Sequence, residues 1–261
     1  MKKIIHLSDL HIGFRDSRGR NLGDRFHDLV RNLVFEKQPA ENYVVVITGD
    51  LVESATETAN YDEVRLHLEA LRERGFTVLV CPGNHDYGTG ILGSKKFVRT
   101  FKHTFFRDPD FDYPKLDLIG EIAFIGLDSM AEELSWYDRL FAEGEIGKHQ
   151  LHRLDQLLSR DSVRSAARRV VYLHHHPFDS RPFHHLKDSQ KLGEALQGHT
   201  IDCILYGHNH AGRKHHGQWG IHRCYDAGTS TRKKGRPGHH RVINLDRDVN
   251  CDYDGNFLTE I

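Results

Sequence analysis

The sequence lacks the features that would place it in a membrane, in an oxidising compartment or on a nucleic-acid surface. Its four cysteines are far apart and form no CxxC pair, so we expect reduced thiols rather than a thiolate zinc site or a redox pair. No stretch approaches the roughly 18 apolar residues of a spanning helix. The formal net charge is -1, so no overall basic balance indicates a polyanionic partner. These absences predict a soluble, cytoplasmic protein without a membrane partner.

Histidine is the residue that the sequence has in excess. There are 21 histidines among 261 residues, and they are scattered along the chain rather than gathered in a tag. Histidine is the commonest metal ligand in proteins and the side chain whose charge changes near neutral pH. Neither an internal repeat nor a Pro/Gly/Ser-rich linker interrupts the chain, and its length suits one domain. We therefore predict a single domain over residues 1–261.

Short apolar runs alternate with amphipathic segments along the first third of the chain. The run YVVVITGD is rich in β-branched residues and ends at a glycine, which indicates a strand buried on both faces. KKIIHLS and FTVLVCPGNHD have the same character, and helical spacing separates them. Further on, LDLIGEIAFIGLDS is expected to form a hairpin at Gly120, and the C-terminal part is expected to be antiparallel. The pattern predicts a layered α/β domain with two sheets.

Side chains able to bind metals follow these strands, each time where the strand ends. They are Asp9 and His11 in SDLH, Asp50 in TGD, Asn84, His85 and Asp86 in GNHD, His174–His176 in HHHP, and His208 and His210 in GHNH. Ligand sites in α/β folds gather at the carboxyl ends of strands, so these groups can converge on one place. Residues two apart in an extended chain point the same way, so Asp9 and His11 are expected to face one cation.

The chemistry of this residue set favours transition metals. Carboxylate, amide and imidazole groups without thiolate suit Mn, Fe, Co, Ni or Zn rather than a calcium cage. The set is larger than one tetrahedral ion needs, so we expect two ions. Taken singly, each fragment also has a structural explanation, because an aspartate before a helix is often an N-cap and GD is a common turn. Their joint occurrence after successive strands favours a metal site.

The order of DLH, GD, GNHD, a strand-end histidine before proline, and GHNH resembles the calcineurin-like metallophosphoesterases. The resemblance spans Ile4–His210, and AGTS at Ala227–Ser230 fits the strand that usually follows. The helix GEIGKHQLHRLDQLL before HHHP makes the chain most similar to the bacterial cyclic-nucleotide and glycerophosphodiester phosphodiesterases. The resemblance implies a four-layer αββα sandwich, in which two mixed β-sheets are flanked by helices.

The resemblance also implies a role for each residue. One metal ion is expected to take Asp9, His11, Asp50 and His210, and the other Asp50, Asn84, His175 and His208, with Mn, Fe or Zn as the metals. His175 is chosen because the ligand in related sequences stands two positions before the proline, and strand alternation then turns His174 and His176 the other way. His85 is expected to be catalytic and to lie over the substrate phosphate, with Asp86 orienting its imidazole.

Two such ions can share a hydroxide that attacks phosphorus in line with the leaving oxygen. The substrate is expected to be a small anionic phosphodiester, such as a cyclic nucleotide, or a phosphomonoester. His184 and His185 could approach its leaving group.

A metal-dependent nuclease is one alternative, because Arg213-Lys214 and Arg232-Lys233-Lys234 could assemble into a basic groove. A non-catalytic scaffold of the same fold is another, but such a protein is expected to lose ligands, and none is missing here.

Overall fold

Two β-sheets form the centre of the molecule. The computed structural model describes residues 2–15, 17, 19, 21–88, 95–130, 143–181, 185–231 and 238–255. The first sheet contains β1 (Lys3–Leu7), β2 (Tyr43–Thr48), β3 (Thr77–Cys81), β10 (His240–Ile243) and β11 (Tyr253–Gly255). The second sheet contains β4 (Lys115–Ile119), β5 (Ile122–Gly126), β6 (Arg168–Tyr172), β7 (Cys203–Tyr206), β8 (Lys214–His215) and β9 (Arg223–Asp226).

Both sheets are mixed. The strand order is β11-β10-β1-β2-β3 in the first sheet and β4-β5-β6-β7-β9-β8 in the second. The strands β1, β2 and β3 are parallel, as are β5, β6, β7 and β9, whereas the remaining strands pair antiparallel at the margins. β4 and β5 form the hairpin predicted at Gly120, where Ile119 pairs with Ile122 and the glycine has a φ of 60°. The antiparallel C-terminal strands are confirmed as well.

Helices cover the outer face of each sheet. They are α1 (Leu22–Glu36), α2 (Thr58–Glu73), α3 (Asn84–Tyr87), α4 (Lys95–Phe106), α5 (Lys148–Leu158), α6 (Asp161–Arg164) and α7 (Ser189–Gln197). One apolar cluster joins α1, α2 and α4 to the first sheet, and a second joins α5 and α7 to the second sheet. None of the helices in the described ranges combines the length and apolarity that crossing a bilayer requires.

A third apolar cluster lies between the two sheets and completes the four-layer αββα sandwich. The β2 residues show how the sequence specifies these layers. Val44 and Val46 contribute to the cluster between the sheets, whereas Val45 and Ile47 pack towards the helices. All four are fully buried, and burying one such side chain contributes roughly 1.5–3 kcal/mol. The β-branched run is therefore a central strand with no polar face, as predicted, and the fold class is confirmed.

Candidate metal centre

The loops that carry the predicted site residues leave neighbouring strands at the same end of the sandwich. In the first sheet, β1 and β2 stay in register as far as Leu7 and Ile47, and β2 and β3 as far as Thr48 and Cys81. In the second sheet, β6 and β7 run parallel to one another. The loops of the two sheets meet where the backbone N–H of His208 donates to Asp9 Oδ2 at 3.1 Å. Parallel pairing thus collects the polar groups at one place, as expected for α/β folds.

Two glycines allow these loops to approach one another closely. A Cβ atom on Gly83 would lie 2.3 Å from Asp50 Oδ1, and a Cβ on Gly207 would lie 1.9 Å from Ser8 Oγ. Both distances are far below van der Waals contact, so any other residue would push the loops apart. The two glycines therefore set the spacing between the polar side chains.

The backbone is strained at five of the seven predicted ligands. Asp9, His11, Asp50, His208 and His210 all have left-handed φ values, between 48° and 73°. A non-glycine residue in this region costs roughly 1–3 kcal/mol and persists only where the surrounding structure enforces it. Asp9 and His11 do face the same cluster, as predicted, but the predicted reason is wrong, because β1 ends at Leu7 and the chain turns sharply at both residues instead of staying extended. Such strain concentrates at functional sites.

The first cluster consists of Asp9, His11, Asp50 and His210, whose potential ligand atoms all lie within 4.8 Å of one another. The Nε2 atoms of His11 and His210 are 3.2 Å apart, and His210 Nε2 is 3.0 Å from Asp9 Oδ1. His11 Nδ1 lies 2.9 Å from the carboxylate of Glu53, to which it donates its proton. That tautomer leaves a lone pair on His11 Nε2, facing the cluster, as a metal ligand requires.

The second cluster consists of His174, His175 and His208, whose potential ligand atoms lie within 4.8 Å of one another, and Asp50 and Asn84 lie beside His174. His174 Nε2 lies 3.1 Å from Asn84 Oδ1, 3.5 Å from Asp50 Oδ2 and 3.2 Å from His208 Nδ1. The other nitrogen of His174, Nδ1, is 2.8 Å from the carbonyl oxygen of Thr48 and can only be a donor there. Nε2 of His174 therefore presents its lone pair to the oxygens of Asn84 and Asp50. A cation between these atoms would satisfy all of them.

Asp50 belongs to the first cluster and lies beside the second. Its Oδ2 lies 3.7 Å from His11 Nε2 and 3.5 Å from His174 Nε2, and its Oδ1 accepts the backbone N–H of His85 at 2.9 Å. Burial would raise the pKa of Asp50, but the imidazoles of His174, His85 and His11 outweigh burial and lower it. The group is thus a carboxylate whose Oδ2 faces a histidine of each cluster.

The structure brings His174 as well as the predicted His175 to the metal centre. His174 contacts Asp50 and Asn84, whereas Nδ1 of His175 lies 2.7 Å from Ser129 Oγ. The alternation of β6 accounts for this. Tyr172 faces the space between the sheets, whereas Leu173 faces the helices. His174 continues on the Tyr172 side. His174 is thus the residue of the run that contacts Asp50, and the choice of His175 as the ligand stays a prediction.

The structure also revises how His85 and Asp86 are held. GNHD is not extended: Asn84 opens the helical turn α3, and His85 Nδ1 lies 2.7 Å from the backbone carbonyl of Glu53. Asp86 is fully buried and accepts backbone N–H groups from Gly83, Leu51 and Val52. Asp86 therefore ties the loop after β2 to the loop after β3, and the prediction that it orients the His85 imidazole is wrong.

Glu53 is a residue of the site that the sequence analysis did not identify. Its carboxylate fixes the tautomer of His11, and its backbone carbonyl positions His85. The only sequence signal is its place three residues after Asp50, which the ordinary turn after a strand also explains. Of the other histidines considered, His185 Nδ1 lies 3.7 Å from Glu143 Oε1. His184 and the basic run Arg232–Lys234 lie outside the described residues.

Comparison with known proteins establishes the family. The sequence model of the calcineurin-like phosphoesterase family matches residues 2–212, which is well over half of the chain. The chain therefore belongs to this family.

Individual similar proteins say less about this chain than the family model does. An "uncharacterized metallophosphoesterase" of Helicobacter pylori strain J99 is 28% identical over 216 residues, which are 81% of this chain and 45% of that protein. The chain thus spans about half the length of the curated relatives it matches. Among solved structures, TT1561 of Thermus thermophilus has a TM-score of 0.60 at 13% identity and covers 98% of this chain and 99% of its own. The purple acid phosphatase PPD1 of yellow lupin has a TM-score of 0.56 at 14% identity over 79% of this chain and 37% of its own. The two structures show a shared fold.

Proposed function

We propose that the protein is a phosphodiesterase that uses two transition-metal ions to hydrolyse a small anionic phosphodiester. The observation that carries the proposal is Asp50, whose Oδ2 faces His11 in the first cluster and His174 in the second. One ion would be held by Asp9, His11, Asp50 and His210, and the other by Asp50, Asn84, His174 and His208. Bound there, Mn, Fe or Zn would activate water as the nucleophile and neutralise charge on the phosphoryl oxygens.

Within this proposal the protein residues have separate tasks. Glu53 and the Thr48 carbonyl keep the lone pairs of His11 and His174 directed at the ions. His85, whose Nδ1 is held by the Glu53 carbonyl, keeps its Nε2 free to act on the substrate. A positioned imidazole of this kind can protonate the leaving alkoxide. Because the described residues keep the ligands that the proposal requires, a non-catalytic scaffold is the weaker interpretation.

Near-neutral charge supports a small substrate over a polymer. The whole chain carries a formal net charge of -1, whereas binding a nucleic-acid backbone relies on many cationic contacts. We also propose that the chain acts as one domain and in the cytoplasm. Support for the second point is that Cys81, Cys203, Cys224 and Cys251 are all free thiols.

A direct test compares substrates with Mn²⁺ present. We expect bis-p-nitrophenyl phosphate or cyclic AMP to be hydrolysed, with kcat/KM above that for p-nitrophenyl phosphate, and a chelator to abolish turnover. Single-stranded DNA at matched phosphate concentration should be cleaved poorly at both low and physiological salt. Efficient DNA cleavage that collapses when Arg232, Lys233 and Lys234 are replaced by Ala would instead favour a nuclease.

The assignment within the histidine run has its own test. His174→Ala should lose the ion of the second cluster and reduce kcat by more than the 10- to 100-fold typical of changes outside the ligand shell. His175→Ala removes a side chain whose Nδ1 is engaged by Ser129 Oγ, and we expect it to keep both ions. Elemental analysis of the two variants, alongside kcat for a small diester, distinguishes them. The assignment is wrong if His175→Ala loses an ion while His174→Ala keeps both.

A further inference from the structure

A groove with an aromatic floor opens beside the second cluster. We call it the aromatic groove; it has a volume of about 600 Å³ and is lined by His176, Phe178, Asp179, Arg181, Arg213 and His215, among others. It adjoins the GHNH loop, because its lining also includes Asn209, the residue between His208 and His210. A volume of this size lies within the range of pockets for organic ligands.

The floor of the aromatic groove is a network of rings in edge contact. The ring centroid of Phe178 lies 4.6 Å from that of Trp219 and 5.6 Å from that of Tyr206. His176 packs on Tyr206 at 4.5 Å and is 5.5 Å from His215. Tyr206 is fully buried in the second sheet, whereas Phe178 is only partly buried. The network therefore fixes Phe178 in place while leaving part of its ring accessible to a ligand.

The polar groups of the groove connect it to the metal centre. Asp179 and Arg181 form a bidentate ion pair, with Nε–Oδ1 at 3.0 Å and Nη2–Oδ2 at 2.6 Å. Asp179 also accepts a hydrogen bond from Asn209 Nδ2. This triad braces the groove against the GHNH loop. Arg213 adds an exposed cation to the same lining. Since the Arg181 charge is offset by Asp179, the lining keeps an excess of positive charge, which suits an anionic ligand.

We propose that the aromatic groove holds the organic group of the substrate and that this group is a nucleoside. Its base would pack against Phe178 while its phosphate lies at the two metal clusters. The inference rests on the proposed function for the position of the phosphate, but the groove itself is defined by its own residues. A planar base suits an aromatic floor because every base offers a π face, and such contacts are sequence-tolerant.

Equilibrium binding to the Mn²⁺-loaded full chain tests the groove independently of turnover. The probes are adenosine 5′-monophosphate, ribose 5-phosphate and inorganic phosphate, measured by calorimetry. We expect adenosine 5′-monophosphate to bind at least about tenfold more tightly than ribose 5-phosphate, and Phe178→Ala to remove about that factor. Phe178→Leu, which keeps an apolar side chain but no π face, should have a similar effect. Phe35→Ala, at an 85% exposed position on α1, is the matched control.

The outcomes separate the two proposals. Equal affinity for adenosine 5′-monophosphate and ribose 5-phosphate, or unchanged nucleotide affinity in both Phe178 variants, would overturn the groove inference even if the protein hydrolyses small diesters. Nucleotide binding that depends on Phe178, in a protein that hydrolyses none of the diesters tested, would uphold the groove and overturn the proposed function.

Discussion

Replacing Asp50 with asparagine is expected to abolish hydrolysis and to release metal. Asparagine has nearly the same shape and can still accept the backbone N–H of His85 through its side-chain oxygen, so the fold should survive. It lacks the negative charge that faces both His11 and His174. If the charge stabilisation supplied by the ions is several kcal/mol, its loss corresponds to a fall in kcat of about 10³-fold or more.

A carboxylate that holds both ions predicts that metal content and activity fall together when Asp50 is replaced. Elemental analysis after metal loading should find about two ions per wild-type chain and fewer in Asp50→Asn. Asp28→Asn on α1 is the same substitution at a side chain that is 48% exposed, and it should leave both the metal content and the activity unchanged. A wild-type protein that is fully active with a single tightly bound ion would refute the two-metal site.

Replacing His85 with alanine is expected to lower kcat by about 10²–10⁴-fold, the typical contribution of a general acid or base, while both ions remain bound. The alternative is that His85 is itself a ligand, since atoms of His11, Glu53 and His85 also lie within 4.8 Å of one another. The geometry favours the catalytic role. His85 Nδ1 is engaged by the Glu53 carbonyl, and His11 Nδ1 and the Glu53 carboxylate already satisfy each other.

The leaving group provides a sharper measurement for His85. A general acid matters little when the leaving group is an acidic phenol such as p-nitrophenol and much more when it is an alkyl alcohol. The loss in kcat for His85→Ala should therefore grow as the pKa of the leaving alcohol rises. His103→Ala, at an exposed position on α4, serves as the control. Loss of one metal ion from His85→Ala, or an equal loss for every leaving group, would contradict the assignment.

Much of the architecture could be predicted from local patterns. The run from Tyr43 to Thr48 is β-branched on both faces and became a central strand, and the glycine at position 120 marked a hairpin. Burial of apolar side chains and the conformational freedom of glycine are properties of short segments, so they are readable without tertiary information. The order of the motifs was likewise sufficient to point to the phosphoesterase family, which the family comparison then confirmed.

The identity of the histidine nearest Asp50 was not available from the same patterns. Both faces of β6 are apolar, because one covers the other sheet and the other covers the helices. The alternation of side chains between the two faces of β6 therefore produces no polar face. His174 and His175 cannot be distinguished from the sequence until the packing of the two sheets is known. The prediction of His175 rested instead on its position two residues before the proline.

Local patterns in the sequence were enough to predict the main strands and helices, the polar groups at the strand ends and the family. The orientation of those polar groups depends on the tertiary structure. Left-handed backbone at Asp9 and His11, and the hydrogen bonds that set imidazole tautomers through Glu53 and the Thr48 carbonyl, depend on partners far away in the chain. Thr48 and His174 are 126 residues apart, and their contact exists only because the two sheets pack face to face. Strand formation is a local property, whereas ligand orientation is set by long-range packing, so the first could be predicted and the second had to be observed.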